Sequence, residues 1–387
     1  MGNEQAPIPA VVARLHGRIL SGMKYLPSVL ILGAAVIGAL FWFLNREPAL
    51  RTVPDGGIEV DSAVSTVAEG LSVPWAIAFL PDGALLVTER TGTLARIEDG
   101  EVTRLTVESV RTGGEGGLLG LALHPDFAEN HFLYLYLTSE TAGGTENRVV
   151  RYVYQGGALT DAVAIIEGIP GARYHDGGRI AFGPDGYLYV TTGDAGDETS
   201  AQDTASLSGK ILRLKDDGSL PADNPFGNAV YSYGHRNPQG LAWDAAGELW
   251  ATEHGRSGVL SGYDELNRIE RGANYGWPEV QGDETREGMT PPVLHSGASD
   301  TWAPASLAYR DGVLYWGGLR GEALYEARIE RESVADLRAH FAGEYGRIRE
   351  LQFDANGRLY FTTSNTDGRG NPQAGDDRVI SVDMQAL

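Results

Sequence analysis

One short phrase recurs six times along this chain: an alternating apolar run, a turn rich in Gly, Asp, Asn or Ala, and a second alternating run that usually ends in Thr. The copies span Ala76–Thr88, Leu121–Thr138, Ile180–Thr191, Leu241–Thr252, Leu307–Tyr315 and Leu351–Thr362. Strict alternation is the mark of strands with one face buried, and a turn residue that tolerates positive φ joins two of them into a hairpin. A hairpin that returns every roughly 40–65 residues, with further strands between copies, is the pattern of propeller blades.

A third strand is legible behind each hairpin, at Leu94–Ile97, Arg148–Tyr154, Lys210–Leu214, Leu266–Ile269, Ala323–Ile329 and Arg378–Val382. Asp99-Gly100, Asp217-Gly218 and Arg271-Gly272 follow three of them as turns of outer hairpins. The count predicts an all-β, six-bladed β-propeller over residues 60–387. Ala63–Ala68 is expected to pair with Arg378–Val382, which closes the ring and removes two open sheet edges. A plain β-sandwich is the competing architecture, and six similarly phrased hairpins speak against it.

Glycine accounts for 52 of 387 residues, an excess that suits a turn-dense all-β chain. A net charge of −21 argues against a nucleic-acid partner, because phosphates would be repelled. With no Cys in the chain, disulfides, lipoprotein acylation and thiolate metal sites are excluded. Residues 26–44 carry no charge, and 19 residues of helix span about 30 Å of hydrocarbon. Arg14, Arg18 and Lys24 precede this segment, which places residues 1–25 in the cytoplasm and the main domain outside it, in the periplasm or extracellular space. An uncleaved membrane anchor at 26–44 and a linker at 45–59 are expected; a cleaved signal peptide is the alternative, although no small-x-small site follows Leu44.

In a propeller the loops at one end of the axis converge on a funnel, so polar residues at hairpin boundaries carry the functional information. Gly113-Gly114-Glu115-Gly116-Gly117 precedes the second hairpin, Tyr174-His175-Asp176-Gly177-Gly178-Arg179 the third, and Gly234-His235-Arg236-Asn237-Pro238-Gln239-Gly240 the fourth. Gly346-Arg347-Ile348-Arg349-Glu350 precedes the sixth. These equivalent positions gather a cation-rich pocket inside an acidic protein, and such a pocket suits an anionic small ligand held by guanidinium forks. Taken singly, His175 reads as a turn residue, Arg347 and Arg349 as partners of Glu344 or Glu350, and the glycines as turn formers.

Together with Asp264-Glu265-Leu266-Asn267 and Asn274-Tyr275-Gly276-Trp277-Pro278, these segments resemble the soluble-type quinoprotein sugar dehydrogenases, the glucose/sorbosone and aldose sugar dehydrogenases. The resemblance covers roughly residues 60–385 and itself implies a six-bladed propeller. It implies the cofactor pyrroloquinoline quinone (PQQ), a planar tricarboxylate held with Ca²⁺, and oxidation of a sugar at C1. It makes His175 the base that takes the C1 hydroxyl proton. Arg236 becomes the cation facing the reacting quinone carbonyl, with Asn237 as its polar neighbour. Arg347 and Arg349 become holders of the cofactor carboxylates, with Arg320 where the family often has Lys. The backbone carbonyls of Gly255 and Arg256 become Ca²⁺ ligands, a hard-donor set suited to that ion. Glu115 falls at a cofactor-facing position where Gln is usual, Tyr174 replaces an Asp, and Arg256 replaces a Pro at the head of a lengthened loop. The segment after Pro278 diverges from the second Ca²⁺ site of some members.

Three functions remain open on the sequence. The first is a membrane-anchored sugar dehydrogenase passing electrons to a quinone or another external acceptor. The second is a metal-dependent lactonase-type hydrolase, and the third a non-enzymatic binding propeller that has lost PQQ.

Overall fold

A computed structural model describes residues 63–256, 262–331 and 333–387. The segment 26–44, the linker and the middle of the loop after Arg256 lie outside the described residues. No helix among the described residues is long and apolar enough to cross a membrane.

Six four-stranded antiparallel sheets make up the domain. The chain enters as β1 (Val64–Ala68) and then builds blade one from β2 (Pro74–Phe79), β3 (Leu85–Glu89), β4 (Thr93–Glu98) and β5 (Glu101–Thr106). Blade two is β6 (Leu118–Leu123), β7 (Phe132–Thr141), β8 (Gly144–Gln155) and β9 (Ala158–Pro170). Blade three is β10 (Ile180–Phe182), β11 (Leu188–Thr192), β12 (Lys210–Leu214) and β13 (Val230–Tyr233). Blade four is β14 (Pro238–Trp243), β15 (Leu249–Glu253), β16 (Glu265–Ile269) and the short β17 (Leu294–His295). Blade five is β18 (Pro304–Arg310), β19 (Val313–Gly318), β20 (Leu324–Glu330) and β21 (Ser333–His340). Blade six takes β22 (Ile348–Phe353), β23 (Leu359–Thr363) and β24 (Val379–Val382), and β1 supplies its outer strand. Val64 pairs with Val382 and Ser65 with Ser381, so the two ends of the domain share one sheet, as the closure argument expects.

The repeated phrase has a structural cause at both ends. Its turn glycines sit in the left-handed region, with φ of 90° at Gly83, 78° at Gly186, 81° at Gly247, 83° at Gly312 and 86° at Gly357. Its closing Thr binds the start of the neighbouring strand: the Thr88 hydroxyl accepts Ala76 N–H, and the Thr191 hydroxyl accepts Arg179 N–H. The same hydroxyls stitch blade to blade, Thr88 donating to the Leu119 carbonyl at 2.6 Å and Thr252 to that of Ala305 at 2.8 Å. Between blades the core holds wide aromatic rings, with Trp75, Trp250, Trp316, Tyr134, Tyr136 and Phe361 fully buried.

Two of the three expected outer turns differ from a tight hairpin. Asp99-Gly100 does join β4 to β5, with φ of 50° and 80°, the two-residue form whose twist matches its strands. Asp217-Gly218 is instead a local turn closed by Gly218 N–H on the Lys215 carbonyl, well before β13 begins. Arg271-Gly272 likewise starts a long excursion before β17. The second excursion brings Trp277 against Asp194 and Arg236.

Candidate active site

Strands one and two of a blade run antiparallel, so the entry to the first and the exit from the second open at the same end of the axis. Both sets of loops therefore build the funnel. Its cavity has a volume of about 470 Å³ and is lined by residues that include Glu115, Tyr174, His175, Arg236, His254, Gly255, Arg256, Arg320, Arg347 and Arg369.

His175 stands at the centre of this arrangement. Its backbone takes φ 63°, a left-handed conformation unusual for a residue with a Cβ. Its Nδ1 lies 2.7 Å from Asp194 Oδ1. The Asp194 side chain is 2 % exposed, and it also accepts Gly196 N–H at 2.8 Å and Trp277 Nε1–H at 2.9 Å. Burial pushes the Asp194 carboxyl up, but its hydrogen bonds and the His175 charge outweigh that and hold it below the usual range. A carboxylate on Nδ1 fixes the tautomer in which Nε2 carries the lone pair.

Arg236 follows β13 and is buried, with its guanidinium 5.3 Å from the Trp277 ring and Nη1 3.4 Å from the His254 carbonyl. Its backbone N–H donates to Glu253. The neighbouring His235 is fully buried between Glu253 and Ser232 and stacks on Tyr275, so this histidine is structural. Asn237 is fully buried too, and its Oδ1 accepts Gly177 N–H at 3.0 Å.

Arg347 and Arg349 meet at Asp367 rather than at Glu344 or Glu350. Arg347 donates from Nε at 3.0 Å and Nη2 at 2.8 Å to Asp367 Oδ2, and from Nη1 to the Leu319 carbonyl at 2.7 Å. Arg349 Nη2 lies 3.7 Å from the same oxygen, while its Nε reaches Ser364 and its Nη1 Gln239. Burial lowers the Arg349 pKa, and Asp367 opposes that. Glu350 pairs instead with Arg179 at 2.7 Å, deeper along the axis. Arg320 is exposed on the cavity rim.

Gly255 and Arg256 line the same cavity, directly after His254, whose carbonyl faces Arg236. Gly255 N–H donates to Asp264 Oδ1 at 2.8 Å, and Arg256 pairs with Gly262, whose N–H reaches the Arg256 carbonyl at 3.2 Å. Asp264 Oδ2 is saturated by Thr301, Trp302 and Ala303. Among the described residues no group of three or more His, Cys, Asp or Glu converges as a metal site, so a cation here would depend on backbone carbonyl oxygen.

The sequence reading found His175, Arg236, Arg320, Arg347, Glu115, Gly255 and Arg256, and all seven line the one cavity. Arg349 and Asn237 lie behind its wall as buried supports. Asp194, His254, Asp367 and Arg369 were missed. All four follow a second strand of a blade, a boundary as informative as the one before the first strand.

Residues 71–371 match the model of the Glucose / Sorbosone dehydrogenase family, and the chain belongs to that family. It is similar to the PQQ-bound aldose sugar dehydrogenase of Streptomyces coelicolor, with 45% identity, a TM-score of 0.77, and coverage of 82% of this chain and 97% of that one. The aldose sugar dehydrogenase YliI of Escherichia coli strain K12 is 31% identical over 79% of this chain and 91% of its own. Quinoprotein glucose dehydrogenase B of Acinetobacter calcoaceticus is 35% identical over 56% of this chain and 52% of its own.

Proposed function

We propose that this chain is a PQQ-dependent aldose dehydrogenase that oxidises the sugar C1 hydroxyl to a lactone, with Ca²⁺ at the cofactor and electrons leaving to an external acceptor. The observation that carries the reading is the His175–Asp194 pair facing a cavity of about 470 Å³ walled by arginines. That volume falls within the roughly 300–1,000 Å³ of small-molecule sites.

The residues present fit a planar tricarboxylate. Arg236, Arg256, Arg320, Arg347 and Arg369 outnumber the cavity's two carboxylates, Glu115 and Asp264, and both carboxylates are already engaged. Two buried polar atoms beside the cavity, Asn237 Nδ2 and His254 Nε2, have no hydrogen-bond partner among the described residues. Arg347 and Arg320 would hold cofactor carboxylates, with Arg349 behind them, and the Gly255 and Arg256 carbonyls would hold Ca²⁺. When bound, PQQ supplies the two-electron acceptor for the hydride from C1.

His175 Nε2 takes the C1 hydroxyl proton as the C1–H bond breaks, and the buried Asp194 anion stabilises the imidazolium that forms. Arg236 places a desolvated cation where negative charge grows. A lactonase would need several acidic or amide side chains around one metal, and this cavity offers arginines and histidines instead. The uncharged segment 26–44 supports an anchor that holds the propeller outside the cytoplasm. The testing experiment adds PQQ, with and without Ca²⁺, to chelator-treated protein and records the optical spectrum before and after an aldose. Saturable binding with sugar-dependent reduction is expected; absence of PQQ binding would favour the binding propeller that has lost PQQ, and binding without reduction would overturn the aldose dehydrogenase reading.

A further inference from the structure

We propose that Glu115 and Arg369 form a positioning pair that aims His175, an inference that rests on the reading of His175 as the base. The backbone of His175 is held in its left-handed conformation at three points. Its N–H donates to Glu115 Oε2 at 2.9 Å, its carbonyl accepts Ala195 N–H at 3.3 Å, and its ring meets Asp194 at 2.7 Å. Gly193 packs so tightly below that a Cβ there would lie 1.8 Å from the His175 carbonyl oxygen. Ala195, Asp194 and Gly193 all belong to the loop after β11. Glu115 grips the same residue from the loop before β6, in the neighbouring blade.

The second oxygen of Glu115 is committed elsewhere. Oε1 accepts Arg369 Nη1 at 2.8 Å, a partner 254 residues away on the loop after β23. Burial pushes the Glu115 carboxyl up, but His254, the His175 N–H and Arg369 together bring it below its usual range, so it acts as an anion. Two donors thus face two acceptor oxygens. An amide at position 115 would turn its NH₂ toward one of those donors, so the carboxylate and the arginine form a matched set. The guanidinium also neutralises a carboxylate that would otherwise repel an anionic cofactor. Arg369 lies 5.8 Å from the ring of Tyr174, the residue before the base, and Arg173 lies 5.3 Å from the same ring. One arginine therefore fixes both the anion that holds His175 and the side chain beside it.

The test uses the full chain with Glu115→Gln, Arg369→Gln, Arg369→Lys and the Gln/Gln double variant. Three quantities are read: the PQQ dissociation constant, the single-turnover rate of PQQ reduction at saturating glucose with its KM, and the amide spectrum of ¹⁵N-histidine-labelled apoprotein. Each Gln variant is expected to slow reduction by about 10-fold at saturating PQQ through misaligned geometry, with KM unchanged. The double variant should be no slower than the slower single one, since coupled partners fail together. Arg369→Lys should recover most of the rate, and only the His175 amide resonance should move in Glu115→Gln. A changed PQQ affinity or KM at parental rate would instead make Glu115 a direct ligand and overturn the proposal, as would additive losses or an unmoved amide. His175→Ala run in parallel separates the two readings. A slow His175→Ala beside unaffected 115 and 369 variants overturns the pair and leaves the base standing; a parental rate in His175→Ala overturns both.

Discussion

Changing Asp194 to Asn alters one side-chain group and reaches the chemistry directly. Asp194 presents two acceptor oxygens to three donors: His175 Nδ1 at 2.7 Å and Gly196 N–H at 2.8 Å on Oδ1, and Trp277 Nε1–H at 2.9 Å on Oδ2. Asparagine brings one oxygen. If that oxygen faces His175, the amide NH₂ confronts the indole N–H, and an unmet buried donor costs about 1–3 kcal/mol. If the amide turns the other way, its NH₂ faces Nδ1, the ring proton moves to Nε2, and the lone pair needed by the base is gone. In either orientation the imidazolium loses its buried counter-charge. Sugar-dependent reduction of bound PQQ, followed by stopped-flow absorbance, should therefore slow by about 10²–10⁴-fold. PQQ affinity should hold, because Arg347 and Arg320 are untouched. A variant that reduces PQQ at the parental rate would refute the claim that Asp194 sets the tautomer and charge of His175.

Arg347→Ala removes a cavity-lining cation worth about 1.5–3 kcal/mol to a carboxylate, so the PQQ dissociation constant should rise by about one to two decades in a fluorescence titration. Arg349→Ala should move it in the same direction and less, since Arg349 is buried behind Arg347. Lys210 is fully buried and donates to the carbonyls of Ser200, Ala201 and Ser208, so Lys210→Met removes three buried hydrogen bonds, although Ser200 keeps the Asp203 N–H and Ala201 the Gly234 N–H. At about 1–2 kcal/mol each and an unfolding entropy of about 2.1 cal/mol/K per residue, calorimetry should show Tm lower by about 4–9 °C. Asp194 titrates below its unfolded value of about 3.9, so its stabilising contribution is complete above that pH and disappears as pH falls through the lower, folded value. Urea midpoints between about pH 5 and pH 2 should accordingly fall less steeply for Asp194→Asn than for the parent.

The propeller was legible because its signal is periodic. Five turn glycines and five closing threonines recur among the six copies where sterics and a strand-linking hydroxyl require them, and β1 paired with β24 once closure was demanded. The outer strands were fainter. In β5 and β21 most residues are exposed or half-buried, and β17 is two residues long, so alternation carries little information there. At the site, the residues before each first strand were found because they carry unusual polar clusters. Asp194, His254, Asp367 and Arg369 sit in the loops behind second strands, and for Asp194, Asp367 and Arg369 a preceding stretch rich in Thr, Gly and Ser masks them. The geometry of a hairpin joins both boundaries at one end of the axis. Applying that rule to Thr191-Thr192-Gly193-Asp194 and Thr362-Thr363-Ser364-Asn365-Thr366-Asp367 would have located the orienting carboxylate and the hub of Arg347 and Arg349.

The base is the residue on which the whole account turns. His175→Ala leaves the arginines and backbone carbonyls of the cavity in place, so it should bind PQQ and Ca²⁺ as the parent does. Single-turnover reduction of bound PQQ by glucose should then be slower by about 10²–10⁴-fold. A His175→Ala protein that binds PQQ and reduces it at the parental rate would contradict the account.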